Sequence, residues 1–393
     1  MEATKPVKTF QSRPYQLRIW KKVMENWIRG AKSQIIVSPT GSGKTPIGLK
    51  AAKDIIDQIE TLRPGTKPEE VGVIWFAHRR ELLEQAKREN DQLIGCPNFH
   101  AVSIFDAEPE RHIAQYKVRV MIVDEGHHAA CGSAVNCFLR VNPEFLIGLS
   151  ATPMRTDKME LGFQIQVQDA GYHRLIQEGW LSKFDHYLFE GAFTPENMAR
   201  VYLAEPERWG QSVAWFLTRD ECEACERLLI AGGVRATTVT GDSDREEQLA
   251  AFGRGEYDIL LNIQVLTEGW DYPALKTAFV RDSNSAGPTT QMGGRVVRLC
   301  PEVGIKQIVQ SHSTNYPFTR VAAANSRKVE MNGGWRSIGK SDLVDRMAAL
   351  MLDRLRNTKA VALPNFLKVG ASPKPMAIWN DPESPGKRKT DDS

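Results

Sequence analysis

The sequence predicts an α/β protein made of two successive parallel sheets, and three observations carry that prediction. Short apolar, β-branched runs alternate with helical patterns along the chain. The runs are apolar throughout instead of alternating with polar residues, as strands covered by helices on both faces are. The pattern also occurs twice, with a mixed stretch over residues 156–205 between its two halves. In the first half the runs are QIIVS near residue 34, VGVIWFA near 71, VRVMIVD near 118 and FLIGLS near 145. In the second they are SVAWFLT near 212, VRATTVT near 234, YDILLNI near 257, LKTAFVRD near 275 and IKQIVQ near 305. The expected organisation is a first domain over 1–182, a connection over 183–207 and a second domain over 208–330, then a small helical extension over 331–380 and a disordered tail over 381–393. GYHRLIQEGWLS reads as a helix stopped by Gly179. Residues 341–356 read as an amphipathic helix capped by Ser341, with Leu343, Met347, Leu350 and Met351 on one stripe.

Composition permits this arrangement: 393 residues, 41% hydrophobic and 25% charged, leave room for two or three cores. No stretch approaches the ~20 apolar residues needed to cross a bilayer, and the polar N-terminus lacks a signal-peptide core, so a cytoplasmic protein without a membrane partner is expected. Six scattered cysteines fit a reducing compartment. Cys222 and Cys225 form a CxxC that could be half a zinc site or a redox pair. No second ligand pair stands at the usual spacing, and the helical ECEACERLLIAGG favours small residues packed in a helix. A net charge of +3 does not by itself demand a polyanion. The basic excess of residues 1–29, with Lys5, Lys8, Arg13, Arg18, Lys21, Lys22 and Arg29 against Glu2 and Glu25, suits either phosphates or a solvated helix face.

Two strings carry chemistry on their own. SPTGSGKT at 38–45 lies between a strand and a helix with apolar Ile47, Ala51, Ile55 and Ile59, the setting of a phosphate loop. Its glycines let the amides of Thr40, Gly41, Ser42 and Gly43 converge on phosphate oxygens at a helix N-terminus. Lys44 would reach the β- and γ-phosphates of ATP, and Thr45 would hold Mg2+. Ser38 stands where the generic loop has glycine. DEGH at 124–127 ends a strand, at the sheet edge where ligands bind in such folds. Asp124 would hold the metal and Glu125 would deprotonate the attacking water.

The ordered set of SPTGSGKT, DEGH, SATP at 150–153, TEGWD at 267–271 and QMGGRVVR at 291–298 resembles the superfamily 2 helicases of the DEXH-box branch. That resemblance implies two RecA-like domains whose cleft hydrolyses Mg-ATP. It further implies that Gln16 of RPYQ bonds the adenine edge with Arg13 packed on its ring, and that His78, Arg79 and Arg80 of FAHRR touch nucleic acid. Ser150 and Thr152 would relay the nucleotide state, and His127 would sense the γ-phosphate. Thr267 would lie near nucleic acid, Gly269 and Asp271 near the nucleotide, and Trp270 would either stack on a base or pack between strand and helix. Gln291, Arg295 and Arg298 would face the phosphates, with an arginine finger worth ~10³ or more in rate. The family's Thr-Gln backbone contact is missing; NFHAVSIFDAEPERH occupies its place.

The implied function is an ATP-dependent translocase or helicase. The form of the motifs resembles bacterial and phage repair, recombination and branch-migration enzymes, with DNA, single-stranded, forked or branched, as the expected partner and a monomer as the expected state. The alternatives are a nucleic-acid-stimulated ATPase switch that separates no strands, and an RNA helicase.

Overall fold

A computed structural model describes residues 11–126, 132–151, 162–263, 265–266 and 270–338. The expected C-terminal helix and tail lie outside the described residues, as do His127, Thr152, Thr267 and Gly269.

The first half runs α1 (Pro14–Ile28), β1 (Ser33–Val37), α2 (Lys44–Asp57), α3 (Ile59–Leu62), β2 (Val71–Ala77), α4 (Arg80–Glu89), β3 (Phe99–Ser103), β4 (Val118–Val123), α5 (Gly132–Val141), β5 (Phe145–Ser150) and β6 (Ile165–Gln168). Its six strands stand in the order β3-β2-β4-β5-β1-β6, every pair parallel. The four apolar runs read from this half are β1, β2, β4 and β5, and β2 is buried along its whole length. Beside them, β3 and β6 form the two edges; FHAVS buries a single residue, so its composition carries little strand signal.

The second half runs α6 (Tyr172–Gln177), β7 (Phe184–Phe189), α7 (Pro195–Ala204), α8 (Pro206–Trp209), β8 (Ser212–Trp215), α9 (Arg219–Ala231), β9 (Ala236–Val239), α10 (Arg245–Gly253), β10 (Ile259–Asn262), β11 (Thr277–Phe279), α11 (Ala286–Val296), β12 (Lys306–Ser311), β13 (Ser326–Met331) and β14 (Gly334–Ile338). The sheet order is β14-β13-β7-β12-β11-β8-β10-β9, parallel except for the β13–β14 hairpin. Two RecA-like α/β domains result.

Residues 183–207, read as a connection, instead supply a strand inside the second sheet. β7 pairs with β12 on one side and β13 on the other, and α7 packs against α9. Its sequence FDHYLF hides this, because Asp185 and His186 interrupt the apolar run. His186 is fully buried and shares a 3.0 Å hydrogen bond with Gln310 Oε1, which also accepts the Phe318 N–H at 2.7 Å. Burial lowers the pKa of this imidazole to about 4. The chain passes from one sheet to the other through residues 169–183, where α6 ends at Gln177 and the backbone turns away at Gly179 with φ of 77°.

Cys222 and Cys225 are buried in α9, with Cys225 Sγ 3.3 Å from Met198 Sδ, and burial raises both thiol pKa values. They belong to a packed core. No helix among the described residues is long and apolar enough to cross a membrane.

Candidate active site between the two sheets

The phosphate loop turns between β1 and α2 through two glycines in the left-handed region, Gly41 at φ 80° and Gly43 at φ 76°. That geometry costs glycine nothing sterically, and it aims the α2 N-terminus at the cleft. Ser38, in the place of the generic glycine, bonds Ser42 Oγ at 2.8 Å and so braces the loop from within. Tyr15 Oη and Gln16 Nε2 both donate to the Ser42 carbonyl, at 2.5 and 3.0 Å. Gln16 Oε1 accepts the Arg13 N–H at 2.9 Å. The observed bonds of Gln16 therefore grip the loop itself, and it does not appear among the residues lining the cleft. Arg13 does line it, with its guanidinium 5.4 Å from the ring centre of Trp180.

The cleft is about 340 Å³. Thr40, Gly41, Gly43, Lys44, Thr45, Asp124 and Glu125 line it from the first domain, and Asp271, Arg295 and Arg298 from the second. Burial pushes the Lys44 ammonium below its ordinary pKa; Glu125 and Asp124 oppose that shift, while Arg295 and Arg298 add to it. Glu125 has φ of 50° and its N–H bonds Asp124 Oδ1 at 3.0 Å. The other positive-φ residues besides glycine among those described are Asn98, Asn142 and Asn332, the type that tolerates this conformation. A glutamate held there stores strain of about 1 kcal/mol or more at the site.

From the second domain, Arg295 donates to the Trp270 carbonyl at 2.7 Å. Arg298 pairs with Asp271, and burial lowers its pKa to about 10, which leaves it charged at neutral pH. Gln291 sits one helical turn before Arg295 and is not among the lining residues. Ser150 ends β5 fully buried, its carbonyl accepting the Ser38 N–H at 3.0 Å beneath the loop.

The nucleic-acid candidates divide. Arg80 is exposed and paired with Glu84, and His78 is half-buried beside it. Arg79 reaches across to the Val265 carbonyl of the second domain at 3.0 Å. Trp270 is 7% exposed, its ring parallel to Tyr272 at 5.8 Å and tilted against Phe252 at 6.1 Å. Of the two readings of Trp270, stacking on a base or packing within the protein, these contacts favour packing.

Among the lining residues that sequence reading missed, three are polar or aromatic: Gln85, Glu89 and Trp180. Gln85 and Glu89 project from α4 at i,i+4 spacing and bond each other at 2.7 Å; burial raises the Glu89 pKa while Arg298 lowers it. The spacing was visible, but a charged pair on a helix ordinarily signals a solvated face. Trp180, after Gly179, had no signal beyond its size.

Comparison with known proteins agrees with this architecture. The family described as "Type III restriction enzyme, res subunit" matches residues 9–118, and "Helicase conserved C-terminal domain" matches 195–300. The Schizosaccharomyces pombe protein irc3, named as a candidate mitochondrial ATP-dependent helicase, is 25% identical over 350 residues, covering 73% of this chain and 55% of its own. The Saccharomyces cerevisiae IRC3 is 25% identical over 331 residues, covering 70% and 48%. The chain thus spans about half the length of the curated relatives it matches. A fragment of a candidate HsdR subunit of a type I restriction enzyme from Vibrio vulnificus superposes with a TM-score of 0.60 at 17% identity, covering 84% of this chain and 71% of that one. With the two family models matched in order, one on each half, and the loop before α2 facing two arginines across the cleft, the chain belongs to the superfamily 2 helicases.

Proposed function

We propose that the chain is a DEXH-box motor that hydrolyses Mg-ATP in this cleft and moves along or remodels nucleic acid, DNA before RNA. The observation that carries the reading is the pairing of Lys44, Asp124 and Glu125 on one sheet with Arg295 and Arg298 on the other around one cleft. Lys44 and the loop amides hold the β- and γ-phosphates, and Arg13 with Trp180 walls the adenine end. Magnesium fits the donor set, since the Thr45 hydroxyl and Asp124 carboxylate are the hard oxygen ligands it prefers. Bound with the nucleotide, it would neutralise phosphate charge. Glu125 takes a proton from water as the water oxygen bonds to the γ-phosphorus. The bond from that phosphorus to the β,γ-bridging oxygen breaks, and ADP leaves with the electron pair. Arg295 and Arg298 stabilise the charge that develops, so turnover requires the second domain to be docked.

DNA is favoured because the motifs resemble repair and restriction motors and because one solved relative in fold, a type ISP restriction-modification enzyme with a TM-score of 0.55 at 14% identity, is described as bound to DNA. ATPase stimulation compared across single-stranded, duplex, forked and four-way DNA and matched RNA, at one fixed salt concentration, tests this. Absence of stimulation by every nucleic acid would overturn it.

A second reading, an ATPase switch without strand separation, gains from one observation. Arg79 and Trp270, two of the expected contacts, are engaged within the protein, which leaves a thin track. Hydrolysis stimulated by DNA without displacement of a forked strand would favour the switch.

A further inference from the structure

Tyr172 opens α6, in the segment where the chain leaves the first sheet, and is 1% exposed. Its phenol oxygen accepts the Thr40 N–H of the phosphate loop at 2.9 Å. The same hydroxyl faces the Thr290 carbonyl of α11 at 3.5 Å, so its proton is directed to the helix that bears Arg295. One hydroxyl thus serves both walls of the cleft at once, as acceptor to the loop and donor to the helix.

The approach is possible because residue 294 is glycine. A Cβ there would stand 2.4 Å from Tyr172 Oη and 3.1 Å from Thr40 Cβ. The ring packs edge-on against Phe318 with centroids 5.7 Å apart, which holds the hydroxyl at this place. Burial raises the phenol pKa, so the hydroxyl keeps the proton it donates. Thr40 precedes Gly41, on which the Arg298 side chain rests. A slip of α11 along the cleft would lengthen the Thr290 contact and at the same time draw Gly294 from Thr40 and Arg298 from Gly41, so the loop would lose its support from α11 as the hydroxyl loses its acceptor.

We propose that Tyr172 is a positioning residue for hydrolysis, its hydroxyl tying the phosphate loop to α11 so that the loop takes its reactive shape only when the arginine-bearing helix is docked. This rests on the reading of the cleft as an ATPase site. A purely packing tyrosine would contribute through its ring, and its hydroxyl would be dispensable for turnover.

The full chain is compared as wild type, Tyr172→Phe, Gly294→Ala and the double variant, by steady-state ATPase with and without single-stranded DNA and by thermal melting. Tyr172→Phe should lower kcat roughly 10- to 100-fold with KM for ATP within about threefold, because the lost contact orders the reacting state more than the bound one. Its melting temperature should stay within about 4 °C of wild type. Gly294→Ala drives a methyl group onto the hydroxyl and should be slower still. Removing the hydroxyl makes room, so the double variant should turn over faster than Gly294→Ala alone, a non-additivity expected of residues in contact. The proposal is overturned by wild-type kcat in Tyr172→Phe, by a rise in KM alone, or by strictly multiplicative losses in the double variant. If the wild type itself hydrolyses no ATP, the reading of the cleft falls and this proposal with it; wild-type turnover with an unaffected Tyr172→Phe removes this proposal alone.

Discussion

Arg298 of the second domain rests on Gly41 of the phosphate loop: a Cβ at Gly41 would lie 2.9 Å from Arg298 Cγ and 3.6 Å from Leu181 Cδ2. Gly41 also has φ of 80°, so alanine there meets a steric cost of ~1 kcal/mol in the backbone and displaces the arginine stem. Gly41→Ala should therefore cut the ATPase rate at least ~10-fold and lower the melting temperature by a few degrees. Wild-type hydrolysis in this variant would show that Arg298 needs no seat on the loop.

Glu125→Gln removes the proton acceptor while keeping side-chain size. Nucleotide binding, followed by fluorescence of a labelled ATP analogue, should persist, while single-turnover hydrolysis slows by ~10² or more. Normal turnover would sink the general-base role.

Arg298→Ala should likewise bind ATP but hydrolyse it ~10³-fold more slowly, since the charge it supplies matters most in the transition state. Lys44→Ala should abolish hydrolysis. A near-wild-type rate in the Arg298 variant would remove the cross-domain finger.

Trp270→Ala empties a site packed by Phe252 and Tyr272. A loss of ~3–5 kcal/mol is typical of such a deletion. The second domain should melt several degrees lower, with nucleic-acid affinity per folded molecule unchanged. Weaker affinity at unchanged melting temperature would favour the stacking alternative instead.

His186 makes a pH prediction. Its folded pKa of about 4 lies below the ordinary 6.5, so as pH falls the unfolded chain takes up this proton first. Its contribution to stability is intact above pH 6.5 and is lost as pH falls through the window down to 4. The loss should be on the order of 2 kcal/mol by pH 5. Urea midpoints at pH 7 and pH 5 should fall less for His186→Leu than for the wild type; equal falls would assign the acid sensitivity to other groups.

The apolar strands were legible because burial on both faces leaves an unbroken apolar run, as in VGVIWFA. β3 and β7 were not, since one is an edge strand and the other carries His186 into the core. Of the residues lining the cleft, Lys44 and Asp124 could be read from the strand and helix that flank their strings, and Arg295 and Arg298 only through the family resemblance. Glu89 and Trp180 could not: α4 and the segment after Gly179 reach the cleft only through tertiary packing. Arg79 shows the converse, a motif residue whose observed partner is a backbone carbonyl 186 positions away.

The backbone of Arg298 is also stitched to the passage between the domains. Leu181 forms an antiparallel bridge with it, and Ser182 bonds the Val297 and Arg298 carbonyls at 2.8 and 3.0 Å. The arginine that faces the cleft thus shares its backbone anchorage with the passage joining the two domains, so neither can shift without pulling on the other.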